Sequence, residues 1–203
     1  MTQFKFLPTT CVSDALGGMN HLDPLIKPLK EEYQICGRAF TVQLPINDNL
    51  LVLQAIKEAH PGDILVIDAK GGRQFAAAGD FILGMAKTLG IAGIVIDGVI
   101  RDIVGVKQLD FPVFCKGTTA AASQKHGKGS LNEPISCGGT AVEPGDLIIG
   151  DADGVVVVPK NIEQAVYKKA LDKIKKDEAR ENRVSGNPEE IMHYINNMLS
   201  KAK

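Results

Sequence analysis

The stretch from Gly79 to Asp102, GDFILGMAKTLGIAGIVIDGVIRD, opens with Gly-Asp and closes with Asp-Gly-Val-Ile-Arg-Asp. Its residue types suit three chemical tasks. Open amides at a helix N-terminus attract an anion. A carboxylate attracts a hard cation, and an arginine opposes charge developing on an oxygen. Here the amides would be those of Phe81, Ile82 and Leu83, with the small Gly79 letting a ligand come close. Arg101 and Asp102 follow the apolar run Ile94-Val95-Ile96, at the strand end where ligands of α/β proteins sit. The stretch therefore holds the parts of a metal-assisted site for a substrate with a carboxylate. Plainer roles exist for each part. Asp80 could be the N-cap of its helix, Arg101–Asp102 a surface ion pair worth little, and Asp97 either a ligand or the turn residue before Gly98.

These groups need a frame. Thr9 to Leu16 reads as a short helix, with Thr9, Thr10 or Ser13 as caps and Gly17-Gly18 as the stop. Ile35 to Leu44 alternates as a strand and ends at Pro45. Asn49 suits the N-cap of a helix over Leu50 to Ala59. His60-Pro61-Gly62-Asp63 leads into the strand Ile64 to Asp68, and Glu143-Pro144-Gly145-Asp146 leads into Leu147 to Asp151. In both, Pro-Gly fits the centre of a type II turn. Residues 123–139 read as a loop flanking a short strand, and Gly154 to Val158 as a β-branched strand closed by Pro159. A long charged helix starts at Lys160 or Asn161 and runs to about Arg183. A last amphipathic helix follows Asn187-Pro188, with Ile191, Tyr194, Ile195 and Met198 on one side. Strands interleaved with helices give an α/β chain of layered type. One domain over residues 1–185 with a helical tail over 186–203 is expected.

Composition narrows the possible functions. The 203 residues are 44% hydrophobic and carry a net charge of −1. That suits one buried core and gives no electrostatic case for nucleic acid or an anionic membrane. No apolar run is long enough to span a bilayer, and the N-terminus has no signal-peptide pattern, so a cytoplasmic protein is expected. Cys11, Cys36, Cys115 and Cys137 are widely spaced, with no zinc-type spacing. Neither GxGxxG nor GxxxxGK[ST] occurs. Asp151 and Asp153 lack the later ligands of a calcium loop and read as a turn. His21, His60, His126 and His193 are isolated and read as surface or loop residues.

Gly79-Asp80, Ala86, Gly90, Gly93, Val95, Asp97-Gly98 and Arg101-Asp102 together resemble the RraA-like family. That family includes the class II 4-hydroxy-4-methyl-2-oxoglutarate (4-carboxy-4-hydroxy-2-oxoadipate) aldolases. Val12-Ser13-Asp14-Ala15-Leu16, Pro144-Gly145-Asp146 and Gly150-Asp151-Ala152-Asp153-Gly154-Val155 fit as well, so the resemblance covers roughly residues 8 to 185. It implies a β/β/α swivelling-type sandwich with C-terminal helices, assembled as homotrimers or hexamers with sites between subunits. It further implies a metal-dependent lyase that releases pyruvate from a 2-oxo acid and decarboxylates oxaloacetate as a side reaction. Mg²⁺ or Mn²⁺ would lie near Asp102. Arg101 would stabilise the enolate, Gly79 and the amides after it would orient the substrate carboxylate, and Asp80 would position a water that takes the hydroxyl proton. A carboxylate from a neighbouring subunit, Glu178 or Glu181, would add to the metal site. Non-catalytic members inhibit the endoribonuclease RNase E and typically lack the aspartate after the arginine. A regulator binding a ribonuclease or other protein is thus the alternative, and Asp102 favours the enzyme.

Overall fold

A computed structural model describes Phe4 and residues 7–201. Four parallel strands form its centre: β2 (Ile35–Gln43), β3 (Ile64–Ala76), β4 (Gly93–Val99) and β5 (Val113–Cys115). The short β1 (Lys27–Pro28) pairs antiparallel with β5. The chain crosses between the parallel strands through α2 (Leu50–Glu58), α3 (Asp80–Thr88) and α4 (Ile103–Gln108). β4 is buried along its whole length, as expected of a parallel strand covered on both faces, and its run of Ile and Val is what such a position demands.

The other half of the molecule is antiparallel. β6 (Ser130–Leu131) pairs with β2, and β7 (Ile135–Cys137) pairs with β8 (Thr140–Val142). β9 (Leu147–Asp151) and β10 (Gly154–Val158) form a hairpin on the far side of β2. Strand order is β1-β5-β4-β3-β2-β9-β10. Bridging of His21 to Val156, just ahead of β1, brings the two ends of the sheet nearly together. The result is a mixed α/β fold with an almost closed, barrel-like sheet.

Three apolar clusters follow from this layout. α2, α3 and α4 cover one face of the parallel strands through residues such as Val52, Leu83 and Val106. The inside of the curled sheet is filled by Ile64, Val95, Phe114, Ile148 and Val157. On the outer face of the β9–β10 hairpin lie α1 (Thr9–Ala15) and the long α5 (Glu163–Val184), through Val12, Val166 and Ala170. α6 (Pro188–Lys201) follows α5 and has no buried residue.

Most elements lie where the sequence places them, and the differences have local causes. β3 continues to Ala76, eight residues past Asp68, with register shifts against β4 on either side of Gly72. Left-handed Lys70 and Gly71 make the first excursion possible. α5 is preceded by a 3₁₀ turn, Lys160–Ile162. The expected threonine and serine caps of α1 are not used: Pro8 is at the N-cap position, and Thr9 donates from its amide (2.9 Å) and its hydroxyl to Asp151. Asp151 also accepts the Asp153 amide at 2.9 Å, so it closes the hairpin turn and ties α1 to it.

The two Pro-Gly-Asp turns are built alike. Gly62 and Gly145 have φ of 93° and 86°, the left-handed values the turn requires. The aspartate after each glycine accepts the amide at the start of its turn, His60 to Asp63 and Glu143 to Asp146, both at 2.9 Å.

Candidate active site

The segment Ala76-Ala77-Ala78-Gly79 determines where the site forms. Its backbone is held from two sides. The Ala77 amide donates to Val99 O (2.9 Å), and Ala78 O accepts the Arg101 amide (3.0 Å). From the other side, Ser123 Oγ donates to Ala76 O (2.9 Å) and Asn49 Nδ2 to Ala77 O (3.0 Å). Asn49 thus occupies the N-cap position of α2 without capping it. The neighbouring Asp48 accepts the Leu50 amide instead, at 3.0 Å.

Gly79 is the N-cap of α3 and Asp80 its first residue, so the expected Asp80 cap is displaced by one position. Of the expected amides, Leu83 is already engaged, donating to Gly79 O at 3.0 Å. It is the first residue deep enough in the helix to have an intrahelical acceptor. The Phe81 amide donates to Asp80 Oδ1 at 2.7 Å. The amides of Gly79, Asp80 and Ile82 have no acceptor among the described residues, an arrangement that favours a negative charge at the helix mouth.

Arg101 and Asp102 emerge from the end of β4 against this mouth. The side chains are 44% and 43% exposed, with Arg101 Nε 3.3 Å from Asp102 Oδ2. Asp102 has φ 58° and ψ 41° and is the N-cap of α4. A left-handed backbone is tolerated by aspartate better than by most residues, and it turns the chain sharply from strand to helix.

Two glycines make the close approach possible. A Cβ on Gly79 would run into Asp102 Oδ2 and lie 3.2 Å from Arg101 Cγ. A Cβ on Gly105, in the first turn of α4, would run into Asp80 Oδ2 and lie 3.1 Å from Asp80 Cγ. Each carboxylate therefore occupies a notch left by a glycine of the other motif. The sequence reading had no role for Gly105. Its position three residues after Asp102 was the available signal.

A divalent metal fits this arrangement. Asp102 supplies a hard oxygen donor, half open to water, in a notch that any larger residue at position 79 would fill. Mg²⁺ typically takes one or two carboxylates and retains waters. Among the described residues no three His, Cys, Asp or Glu side chains cluster as a ligand set. Glu178 and Glu181 are exposed on α5, which belongs to the cluster around α1, β9 and β10, away from the α3–α4 face. One chain thus brings together Gly79, Asp80, Ile82, Arg101 and Asp102 but does not add either glutamate.

Asp97 belongs to a different cluster. It lies in β4, 8% exposed, with Oδ1 2.5 Å from Lys116 Nζ and Oδ2 accepting the Gly138 amide at 2.9 Å. Lys116 also pairs with Asp23 at 2.7 Å. Burial alone would favour a neutral Lys116, but hydrogen bonds to Asp23 and Asp97 outweigh it and raise the pKa. Cys137, beside this cluster, is pushed strongly upward by burial and by the charges of Asp97 and Asp68. It is a packed thiol, not a nucleophile. Lys116 is the partner that the sequence reading missed, because nothing local links it to Asp97.

Residues 9–157 match the RraA-like family, described as aldolase/RraA. The chain belongs to the RraA-like family. A protein of Halalkalibacterium halodurans, provisionally named a 4-hydroxy-4-methyl-2-oxoglutarate aldolase, is 58% identical over 98% of this chain and 95% of its own length. Among solved structures, Streptomyces coelicolor RraAS2, described as an unusual member of the RNase ES inhibitor RraA family, aligns with a TM-score of 0.81. It is 30% identical over 90% of this chain and 96% of its own. The RNA-processing inhibitor RraA of Thermus thermophilus aligns at 0.69, with 28% identity over 75% and 92%. The matched span contains Gly79-Asp80 and Arg101-Asp102. It ends before α5 and α6.

Proposed function

We propose that this RraA-like protein is a divalent-metal-dependent lyase that cleaves 4-hydroxy-4-methyl-2-oxoglutarate-type acids to pyruvate. Oxaloacetate decarboxylation is the expected side reaction. The observation that carries the reading is the pair of glycine notches, which brings two carboxylates and an arginine to the mouth of one helix. The relative from H. halodurans supports the aldolase assignment.

The open amides of Gly79, Asp80 and Ile82 bind and orient the carboxylate next to the substrate keto group. When bound at Asp102, Mg²⁺ or Mn²⁺ supplies Lewis-acid polarisation of the 2-oxo acid. Asp80 takes the C4 hydroxyl proton, directly or through one water. As that proton leaves, the C3–C4 bond breaks and its electron pair passes to C3. One pyruvate departs as the ketone and the other remains as the enolate. The Arg101 guanidinium opposes the charge on the enolate oxygen. Protonation of C3 then completes the second pyruvate. In oxaloacetate the same electron pair is released by loss of CO₂.

The site is completed by a second copy of the chain, in a trimer or a dimer of trimers. Among the described residues Asp102 is short of carboxylate partners and Glu178 and Glu181 make no ion pair, whereas the adjacent Asp177 is paired with Lys173 and Arg180. Either glutamate from a neighbour would help neutralise the cation.

The test is coupled detection of pyruvate with Mg²⁺ present. Asp102→Asn keeps the left-handed turn and removes the charge, and it should abolish metal-dependent release. Full activity in that variant, or in excess chelator, refutes the metal-dependent mechanism at Asp102, and no pyruvate release from either acid refutes the lyase. Mixed oligomers of Asp102→Asn and Glu178→Gln, or Glu181→Gln, should recover part of the activity. A second reading, a regulator that binds a ribonuclease or another protein, draws on the named RraA neighbours. It takes over if no turnover occurs and a nuclease is retained stoichiometrically.

A further inference from the structure

We infer that α6 of one chain docks in the groove between α2, α3 and α4 of a second copy, running antiparallel to α3. The inference rests on the shared-site reading only in that both need a second copy. Two unpartnered apolar surfaces in the same chain motivate it.

The first surface is the stripe on α6. Ile191, Met192, Ile195, Met198 and Leu199 are between 39% and 64% exposed. Their spacing is that of anchors on one helical face. Tyr194, expected on the same side, instead lies at its edge and faces α5, with Arg183 6.0 Å from its ring centre. The helix therefore meets its own chain on one side and leaves the apolar side open.

The second surface is a groove of about 1180 Å³ lined by Leu53, Ile56, Phe81, Met85, Leu89 and Leu109. Phe81 is 78% and Leu89 55% exposed. No residue of α6 lines this groove in its own chain. An apolar groove between helices is the usual receptor for an amphipathic helix.

Charge selects the occupant and its direction. Lys57 and Lys87, both on the groove wall, sit in the last turns of α2 and α3, and Asp80 opens α3 at the other end. α6 has the opposite polarity: Glu189 and Glu190 in its first turn and Lys201 in its last. Placing the acidic start of α6 at the lysine end and Lys201 toward Asp80 matches both ends. It also sets the α6 dipole against that of α3, which is favourable.

Disulfide mapping between differently tagged chains tests this. Leu89 lies just beyond the C-terminal end of α3, so Leu89→Cys should cross-link between chains with Met192→Cys. It should not do so with Leu199→Cys, which lies about 10 Å further along α6, beyond the reach of a disulfide. Leu89→Glu and Ile195→Glu, both at exposed positions, should each reduce the assembled mass while leaving the helical circular dichroism intact. Three results overturn the docking: an oligomer that cross-links at neither position, cross-linking only within one chain, or cross-linking at Leu199 in place of Met192. If the mixed Asp102→Asn and Glu178→Gln oligomers still regain activity in any of these cases, the shared site stands without the docked helix. A wild-type monomer at assay concentration removes both.

Discussion

Substituting Gly79 by alanine isolates the geometry that the site depends on. Its φ of −134° and ψ of −177° are ordinary extended values, so alanine meets no backbone strain. What it meets is side chains: the new Cβ runs into Asp102 Oδ2 and lies 3.2 Å and 3.3 Å from Arg101 Cγ and Nε. To regain normal contact the carboxylate must retreat by about 1 Å. Because the Asp102 side chain is 43% exposed, it can swing toward water. The loss of stability should therefore stay below the ~1–3 kcal/mol of overpacking a closed core. Catalysis should suffer more. A misplacement of about 1 Å costs on the order of 10²-fold, equivalent to about 2.7 kcal/mol of transition-state stabilisation. Steady-state pyruvate release over a Mg²⁺ series should show kcat/KM down by about that factor and the metal requirement shifted to higher concentration. The companion Gly105→Ala presses on Asp80 instead, so its loss should fall on kcat with the metal requirement little changed. Wild-type kcat/KM and wild-type metal dependence in Gly79→Ala would refute the notch argument.

The buried ion cluster should be a stability element. Lys116→Met strands Asp97 in a site where it is 8% exposed and should cost about 3–5 kcal/mol in urea unfolding, with part recovered by adding Asp97→Asn. The two Pro-Gly-Asp turns should differ. Asp63 accepts one amide, whereas Asp146 accepts those of Glu143 and Lys160, so Asp63→Ala should cost about 1.5 kcal/mol and Asp146→Ala about 3 kcal/mol. Equal losses would count against that reading. In the pH dependence of unfolding, Asp23 is lowered by its hydrogen bond to Lys116 and then by the Leu25 amide. Burial pushes Asp48 up, but the amides of Leu50, Lys128 and His126 outweigh it and the net shift is downward. Both contributions are complete above the ordinary aspartate value of about 3.9 and are lost as pH falls through the lower folded values. Asp48→Asn should flatten that acid limb. Lys116, raised, contributes fully below about pH 10.4 and loses its contribution as pH rises through its folded value.

Local pattern alone decided much of this molecule. Alternation and β-branching set β2, β4, β9 and β10, because a strand covered on both faces accepts little else. Pro-Gly with a following Asp specified both tight turns, since φ at each glycine and the amide acceptor lie within four residues. The Gly-Asp and Arg-Asp motifs were legible for the same reason, as each is a short contact between neighbours at an element end. What the sequence alone could not show were contacts that need the sheet to exist. Asn49 reads as a helix cap, yet its side chain holds the Ala77 carbonyl, because α2 is brought against the strand that leads to Gly79. Thr9 reads as another cap, yet it is taken by Asp151, 142 positions away. Lys116 carries no local signal at all, and only the pairing of β4 with β5 buries it between Asp97 and Asp23. Gly105 looks like an ordinary small residue until α4 packs beside α3 and Asp80 fills the space where its side chain would be. In each case the deciding partner is distant in sequence, and only burial makes the satisfied or sterically permitted arrangement the lowest in free energy.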